Sequence, residues 1–477
     1  MDRKAVLISS CLAGILAVAL AAAPEPAASS LLITGARVLD VRTGAYVPAA
    51  GVLVEGRRIT AILSALPAAL PNGAQRLDLA GATLVPGLGD MYATAAPDAS
   101  VDADFYYAMA LAHGVTMYRT VGAPLPWAAS QRARSTSGDI VAPRLWVGGA
   151  MLDQQGPPGF STRRVPDVVT ARREVLEQSS LGADWVTVSS RTDAEMYRVI
   201  VRSAHSARMR VSGQAGTVST AQLFTIGVDA VDGLAFLTKT RDEIERTPAS
   251  GATTPQVDPQ AMEDEAWQLP APVFSSRAAR PAGRCAFLVP MLGSFNGILA
   301  GGLLKGDVGV TLLPERWRNE LVARAHPAAW PGADRAGRAA ENRTRAVRDL
   351  VAAGVRLVTG VDVHAAGYNV PGAGVHRELA LLVAAGLTPA DAIRAATMNC
   401  AEMVGAESTL GQIRPGFAAD FIAVDGDPLR DIGQLQRIRL IVKGGEVLDR
   451  GMLLGQARRA GRAPLSSTPT TTASHRQ

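Results

Sequence analysis

The stretch from Thr83 to Thr94 reads Thr-Leu-Val-Pro-Gly-Leu-Gly-Asp-Met-Tyr-Ala-Thr. Its first half is an apolar strand that stops at a Pro-Gly pair, because proline and glycine are the strongest local breakers of regular structure. A second strand begins at Leu88 and runs into polar side chains. The hydrophobic pattern differs on the two sides of this stretch, so the stretch predicts a boundary between two kinds of sheet.

Both ends of the mature chain have the pattern of small antiparallel sheets. Short alternating strands separated by tight polar turns are predicted from Leu31 onward and again from Gly411 onward. Neither set has enough strands to bury a face alone. We therefore predict one composite β-sandwich domain, formed by residues 31–86 together with residues 407–452.

Between these ends, short apolar strands alternate with segments of helical length, which is typical of parallel βαβ units. After the opening strand, the predicted strands are residues 116–120, 144–147, 185–188, 210–213, 228–231, 286–289 and 356–360. Near the end, Thr388 and Pro389 mark a helix start, with a capping side chain followed by proline at the first helical position. Eight such units over residues 87–406 fit a (β/α)8 TIM barrel, so the predicted fold class is α/β.

Two segments fall outside the repeat. Residues 240–284 are rich in proline, alanine, serine and acidic residues, and we predict a loop inserted after the sixth strand. Such a loop would lie on the face where TIM barrels carry their sites, so it is either a lid or a disordered excursion without a role. Residues 453–477 are predicted to form a polar tail.

The N-terminus has a different composition. Two basic residues precede an apolar run that ends at Ala23, a pattern typical of a secretory signal peptide. We predict that residues 1–21 are removed and that the protein is exported, to the periplasm or beyond. The alternative is an uncleaved membrane anchor, because the run is about as long as a short spanning helix. The mature chain keeps Cys285 and Cys400, which indicates no disulfide framework.

The composition is that of an ordinary globular protein, with 48% hydrophobic and 19% charged residues. The formal net charge of +5 is small for 477 residues, and no basic cluster is interleaved with aromatic residues. We therefore expect no nucleic-acid partner. No Gly-x-Ser-x-Gly motif, phosphate loop or dinucleotide fingerprint occurs either, which argues against those chemistries.

A set of short motifs occurs in a fixed order along most of the mature chain. They are Gly81-Ala82-Thr83-Leu84-Val85-Pro86-Gly87-Leu88, His113-Gly114-Val115-Thr116, Gly182-Ala183-Asp184, Gly227-Val228-Asp229, Ala385-Gly386-Leu387-Thr388-Pro389, Ala395-Ala396-Thr397-Met398-Asn399 and Pro415-Gly416-Phe417-Ala418-Ala419-Asp420. In this order and at this spacing they resemble the amidohydrolase superfamily, specifically its imidazolonepropionase- and prolidase-like branch. The resemblance implies a TIM barrel and hydrolysis of carbon–nitrogen bonds in cyclic amides or dipeptides.

The resemblance also implies a metal site at the C-terminal mouth of the barrel. In that family one or two divalent metals, often zinc, are held by His-x-His on the first strand, a carboxylated lysine on the fourth and a histidine on each of the fifth and sixth. The residues of this chain at those positions are Tyr92, Thr94, Thr187, Gln214 and Gly233. Only Asp362, at the position after the eighth strand that binds metal and accepts a proton, matches the family. We therefore expect no metal cofactor.

The histidines do not offer an obvious replacement. No His-x-His occurs among the six in the chain. His113 and His205 lie in helix-to-strand positions typical of structural residues. His326 lies in an irregular region, and His475 lies in the predicted tail.

The remaining two histidines, His364 and His376, both follow the eighth predicted strand. With Asp362 and Glu378 they bracket one loop, so a new metal site from these four residues is one interpretation. Their spacing matches no standard ligand motif. The other interpretation is that His376 and Glu378 begin the next helix and have a structural role.

The substituted positions share a property. Tyr92, Thr94, Thr187 and Gln214 are neutral side chains that can donate hydrogen bonds. A carboxylate at Asp362 would be costly in a barrel mouth without a countercharge. We therefore predict that these donors converge on Asp362 and form a polar but uncharged pocket.

These observations predict a catalytically inactive amidohydrolase-like protein of the cell envelope. It would bind a small molecule at the barrel mouth, or assemble as a homo-oligomer or with an active paralogue. One alternative is an active carbon–nitrogen hydrolase with a rearranged or metal-free site that uses Asp362. Another is a purely structural envelope protein without a ligand pocket.

Overall fold

The computed structural model describes residues 30–69, 74–93, 103–156, 161–234, 287–293, 308–315, 317–319, 333–362 and 369–461. The predicted signal peptide and insert lie outside the described residues, as do Thr94, Cys285, His326, His364 and His475. Within the described ranges, no helix is both long enough and apolar enough to cross a membrane.

The strands within those ranges are β1 (Ser30–Thr34), β2 (Arg37–Asp40), β3 (Ala45–Val47), β4 (Gly51–Glu55), β5 (Arg58–Leu63), β6 (Gln75–Asp78), β7 (Ala82–Pro86), β8 (Leu88–Ala93), β9 (Val115–Thr120), β10 (Arg144–Val147), β11 (Met151–Asp153), β12 (Thr162–Arg164), β13 (Trp185–Val188), β14 (Arg210–Gly213), β15 (Ala230–Asp232), β16 (Phe287–Val289), β17 (Arg356–Leu357), β18 (Phe421–Asp425), β19 (Ile438–Lys443) and β20 (Glu446–Leu448).

The α-helices within the same ranges are α1 (Ala103–Ala112), α2 (Leu125–Ser137), α3 (Val168–Ser180), α4 (Ala194–Ser206), α5 (Thr220–Ile226), α6 (Ala333–Ala352), α7 (Ala373–Ala384), α8 (Pro389–Ala396), α9 (Met398–Met403) and α10 (Arg450–Ala460). Two short 3-10 helices cover Val308–Leu312 and Ile432–Gln436.

Strands from both ends of the chain share one sheet. A six-stranded sheet has the order β20-β19-β18-β7-β2-β3, and a four-stranded sheet has the order β5-β4-β1-β6. β18 runs antiparallel to β7, with Phe421 opposite Pro86. One buried apolar cluster contains residues of both sheets, among them Ile33, Val54 and Phe421. The two sheets therefore pack on a common core, and we call this unit the two-sheet domain.

The remaining strands have the order of a TIM-barrel-like fold. We call this unit, strands β8 to β17 with the helices that pack on them, the barrel-like domain. β8, β9, β10 and β13 to β17 follow one another along the chain, and neighbours in each sheet pair in parallel. They form a three-stranded sheet, β10-β9-β8, and a seven-stranded sheet that runs from β12 through β11 and β13 to β17. A closed barrel was predicted, whereas these are two ladders bridged at both gaps by isolated contacts. Gly148 forms a parallel bridge with Trp185, and the Met91 amide donates to the Thr359 carbonyl oxygen at 2.9 Å.

Capping side chains fix several helix starts in this unit. Asp193 accepts from the amide of Met196 at the start of α4. Thr388 accepts from the Asp391 amide at 3.1 Å, and Pro389 is the first residue of α8, as predicted from the sequence. These caps determine where each helix begins and hence the length of the loop that follows each strand.

The last helix differs from the predicted tail. Residues 453–460 belong to α10, which begins after the capping residue Asp449. Leu453 and Ala457 are buried on its inner face. α10 packs against α1, and Arg450 Nε donates to the Ala112 carbonyl oxygen at 2.8 Å. The apolar positions three and four residues apart in this segment explain its helical structure, which the overall polarity of the tail had obscured.

Candidate functional site

The predicted site residues that the structure describes lie at the carboxyl ends of the barrel strands. Tyr92 is in β8 and Thr187 in β13, while Gln214 and Gly233 directly follow β14 and β15, and Asp362 follows β17. Since the strands are parallel, these ends lie on one side of the fold, where TIM-barrel enzymes carry their active sites.

Two of the predicted donors contact each other, and a third contacts a neighbouring serine. Gln214 Nε2 donates to the Tyr92 hydroxyl at 2.9 Å, and the Ser212 hydroxyl donates to Thr187 Oγ1 at 3.2 Å. Neither of these bonds goes to Asp362, in contrast to our expectation that the donors would converge on it. Burial raises the pKa of Tyr92 well above its usual value, and the charge of Asp362 acts in the same direction.

The centre of the site is a residue that the sequence reasoning missed. Arg119, in β9, has no solvent exposure. Its Nε donates to the Met91 carbonyl oxygen at 2.5 Å and its Nη1 donates to Ser212 Oγ at 2.9 Å. Its Nη2 donates to Asp232 Oδ1 at 2.7 Å, and this carboxylate is also fully buried. A complete ion pair therefore lies inside the barrel-like domain, a feature that the sequence analysis did not predict.

Aromatic rings complete the surroundings of Arg119. Its Cζ atom lies 4.8 Å from the centre of the Trp185 ring and 5.9 Å from that of Tyr92. Both distances fall within the range of cation–π attraction. Burial raises the pKa of Asp232, and the Arg119 cation opposes this effect. The guanidinium thus has anionic, polar or aromatic contacts with β8, β13, β14 and β15.

Two further carboxyl groups near this centre are fully buried. Asp90 Oδ1 accepts from the amides of Tyr92 at 3.2 Å and Val361 at 2.9 Å, and burial raises the pKa of Asp90 to about 7. Glu378, in α7, accepts from the amides of Leu292 at 2.9 Å and Gly293 at 2.7 Å. Burial likewise raises the pKa of Glu378 to about 7, although both amide bonds act to lower it.

The described histidines have structural contacts. His376 Nε2 lies 2.8 Å from the His113 carbonyl oxygen, and His113 Nδ1 lies 2.8 Å from the Met109 carbonyl oxygen. Burial lowers the pKa of His113 to about 4. His205 Nε2 lies 2.8 Å from Asp229 Oδ2. With Glu378 bound to backbone amides, the alternative metal site that would join it to His376 and Asp362 has no support in these contacts.

The side chains at the ligand positions of the superfamily do not fit a divalent metal. Tyr92, Thr187 and Gln214 are neutral, and Gly233 has no side chain, whereas such metals are held by imidazole, thiolate and carboxylate groups. Among the residues that the structure describes, no group of three or more His, Cys, Asp and Glu side chains is arranged to hold a metal.

Comparisons with known proteins agree with this fold. A model of the amidohydrolase family matches residues 273–448. The ochratoxinase of Aspergillus niger is 35% identical over 113 residues, which are 23% of this chain and 22% of that protein. The imidazolonepropionase of Solibacter usitatus is 34% identical over 91 residues, 19% of this chain and 21% of that protein. The matches thus span about a fifth of the length of these relatives.

Solved structures cover much more of the chain. The structure of a putative prolidase from Bifidobacterium longum superposes with a TM-score of 0.67, covering 91% of this chain and all of that one at 18% identity. At this identity the likeness establishes the fold and leaves the chemistry open. Together with the family match, it confirms the resemblance that the sequence motifs predicted.

Proposed function

We propose that this chain, a member of the amidohydrolase superfamily, is a metal-free binding protein of the cell envelope that has lost the hydrolytic chemistry of its relatives. The buried pair of Arg119 and Asp232 is the observation that carries this proposal. It places a mutually neutralised ion pair in the interior, beside the ring of Tyr92, a residue at one of the superfamily's ligand positions.

The loss of hydrolysis follows from the chemistry of water. Water has a pKa of 15.7, and hydrolases of this superfamily generate hydroxide near neutral pH because a bound metal lowers that value to about 7. The neutral groups of Tyr92, Thr187 and Gln214 cannot replace this effect. Asp362 keeps the position of the proton acceptor, but a carboxylate alone is a weak base towards water.

The mouth retains features that suit a small ligand. Tyr92 and Gln214 form a neutral hydrogen-bonded pair, and Asp362, which follows β17, supplies a carboxylate at the same end of the strands. A few placed polar groups at the ends of barrel strands are typical of small-molecule sites. We infer that the ligand resembles the dipeptides or cyclic amides of the superfamily, and that assembly with a second copy or an active paralogue is the other role such a fold would support.

An active hydrolase that uses Asp362 is the second candidate. The observation in its favour is that Asp362 follows β17, at the carboxyl ends of the strands, where the superfamily has its proton acceptor. In that case Asp362 would act as a general base on a water molecule without a metal.

Metal content and turnover separate the two candidates. The mature protein and its Asp362→Asn variant should be purified after growth with added zinc or manganese and analysed by elemental mass spectrometry. Both should then be tested with proline dipeptides and cyclic amides. We expect no stoichiometric metal and no turnover in either protein. Near-stoichiometric metal that Asp362→Asn removes would restore the metal-dependent hydrolase, and metal-free turnover that the same variant abolishes would support the second candidate.

Location in the envelope rests on the N-terminal sequence alone. The apolar run that ends at Ala23 supports export. Fractionation of cells that produce the full chain, followed by N-terminal sequencing, tests this directly. A protein that starts near residue 22 in the exported fraction supports cleavage, while an intact N-terminus in the membrane fraction supports the anchor.

A further inference from the structure

A cavity of about 230 Å³ lies between the two-sheet domain and the barrel-like domain. Its charged lining residues are Arg57, Arg132, Arg144, Asp184 and Lys443. Arg144 is the first residue of β10 and Asp184 directly precedes β13, so the cavity is at the amino ends of these strands. It is therefore at the opposite end of the barrel-like domain from Tyr92 and Gln214 and does not belong to the candidate site.

Two of the four cations in this cavity are neutralised. Arg132 Nη1 lies 2.7 Å from Asp184 Oδ2. Arg144 forms a bidentate salt bridge with Asp420. Its Nε donates to Oδ2 at 2.5 Å and its Nη2 donates to Oδ1 at 3.1 Å. Asp420 also accepts from the Gly444 amide at 2.6 Å, so its oxygens are committed to these groups.

The other two cations have no such partner. Among the described residues, neither the Arg57 guanidinium nor the Lys443 ammonium forms a hydrogen bond or an ion pair. Burial lowers the pKa of Lys443, and repulsion from Arg144 and Arg57 adds to this effect, while Asp420 and, more weakly, Glu446 oppose it. The cavity thus holds two positive charges in excess, and positive charges collected in a partly buried space favour an anion.

Backbone contacts fix the positions from which these two side chains extend. Arg57 is in the turn between β4 and β5, and Lys443 ends β19 immediately before a turn at Gly444 and Gly445. Gly445 has a φ of 81°, and a side chain there would collide with the carbonyl oxygen of Gly56. The turns are therefore in direct contact, and only glycine allows this approach. The Ala419 amide donates to the Arg57 carbonyl oxygen at 3.0 Å and ties the first turn to the same framework.

We propose that this cavity binds a phosphate group, either free or as a small ester. A phosphate carries a charge of about −1.5 to −2 at neutral pH, which matches the two unneutralised cations. Guanidinium groups recognise its oxygens through paired hydrogen bonds. The cavity is smaller than the roughly 300–1,000 Å³ of drug-sized pockets, so it fits a small anion.

The test is isothermal titration of the mature protein with inorganic phosphate at constant ionic strength, with sodium chloride as the competing salt. We expect saturable binding, weakened by about tenfold or more in Arg57→Gln and Lys443→Gln because each variant removes a charge-assisted hydrogen bond. Arg163→Gln is the matched control, because Arg163 is an exposed arginine in β12, outside the cavity. It should bind as the wild type does.

No saturable binding, or equal binding by wild type and Arg57→Gln, would overturn the proposal. Arg57 is exposed and its side chain has no partner among the described residues, so this variant should fold even if Lys443→Gln does not. Glycerol phosphate in place of inorganic phosphate identifies the source. Tighter binding of the ester indicates a phosphorylated metabolite, and equal or weaker binding indicates free phosphate.

Discussion

Arg119 and Asp232 form a salt bridge of 2.7 Å in which both side chains are fully buried. They come from β9 and β15, so the pair connects two strands that are not neighbours in either sheet. Burying two charges costs several kcal/mol per ion, and mutual attraction offsets this cost only when the remaining hydrogen-bonding groups are also satisfied. The contacts of Arg119 with Met91 and Ser212 serve this purpose.

The first prediction concerns this pair. Arg119→Met leaves the Asp232 carboxylate buried without a countercharge, so the free energy of unfolding should fall by about 3–5 kcal/mol. Arg119→Lys should recover only part of the loss, because an ammonium lacks the planar fork that reaches three acceptors at once. Chemical denaturation measured by circular dichroism gives these values.

The double variant Arg119→Met with Asp232→Asn is the control. It removes both charges, so it should be clearly more stable than Arg119→Met alone. If the single and the double variant lose the same stability, the ion pair does not organise the interior, and loss of side-chain volume explains the effect.

This pair shows where the sequence stops being informative. The strands were predictable because runs of apolar residues mark them locally, and the eight barrel-type strands lie within a few residues of their predicted positions. Arg119 was not, because a charged residue in a strand is usually exposed and its partner lies 113 positions away. A signal was present: Arg119 lies two residues after the buried apolar Met117, and side chains two positions apart in a strand share one face.

The candidate residues lie where they were expected along the strands, while the contacts between them were not predicted. The likeness to the superfamily indicated which residues follow each strand, and Tyr92, Thr187, Gln214 and Gly233 all lie at or next to the carboxyl ends. Likeness to a metal site says nothing about what compensates for its loss. That compensation depends on three-dimensional contacts such as the bond between Gln214 and Tyr92.

The second prediction concerns pH. The pKa of Asp90 is raised to about 7 from a usual value of 3.8, so the native state keeps a proton that the unfolded state has lost between these values. Stability should therefore fall as pH rises through this window, by about 1.4 kcal/mol per pH unit for one proton. Asp90→Asn removes this dependence and keeps an oxygen for the amides of Tyr92 and Val361.

Denaturation of Asp90→Asn and wild type at about pH 5 and pH 8 tests this. From pH 5 to pH 8, the unfolding free energy of the variant should rise by roughly 2 kcal/mol relative to that of the wild type. Comparison at one pH cancels the contributions of groups that Asp90 does not influence, whereas Glu378, whose pKa is raised by burial and also by the charge of Asp90, adds to the difference in the same direction. Asp425→Asn, at a half-exposed side chain, is the control and should show no such gain. A gain of equal size in both variants would contradict the assignment.

The third prediction concerns the bond between Gln214 and Tyr92. Gln214→Leu and Tyr92→Phe each remove one partner of a single hydrogen bond, so each should lower the unfolding free energy by about 1 kcal/mol. The double variant should lose little more than either single one, because the bond is already absent. Strict additivity in this cycle would show that the two side chains do not interact in solution.

The last prediction concerns α10, which was expected from the sequence to be part of a polar tail. A chain that stops after Leu448 lacks the helix and exposes the face of α1 that Leu453 and Ala457 cover. It also loses the bond from Arg450 to Ala112. Loss of this apolar contact should lower the unfolding free energy by roughly 3 kcal/mol or more.

A chain that stops after Gly461 is the matched control, because it removes residues 462–477 and keeps α10 with all its described contacts. Leu453→Ala in the full chain isolates the packing term and should cost about 2–4 kcal/mol for a buried leucine. Thermal unfolding of the three proteins ranks them directly. If the chain that ends at Leu448 unfolds at the same temperature as the one that ends at Gly461, α10 does not stabilise α1. If the unfolding temperature of Leu453→Ala instead lies between those of the two truncated chains, the C-terminal helix is part of the hydrophobic core of the barrel-like domain.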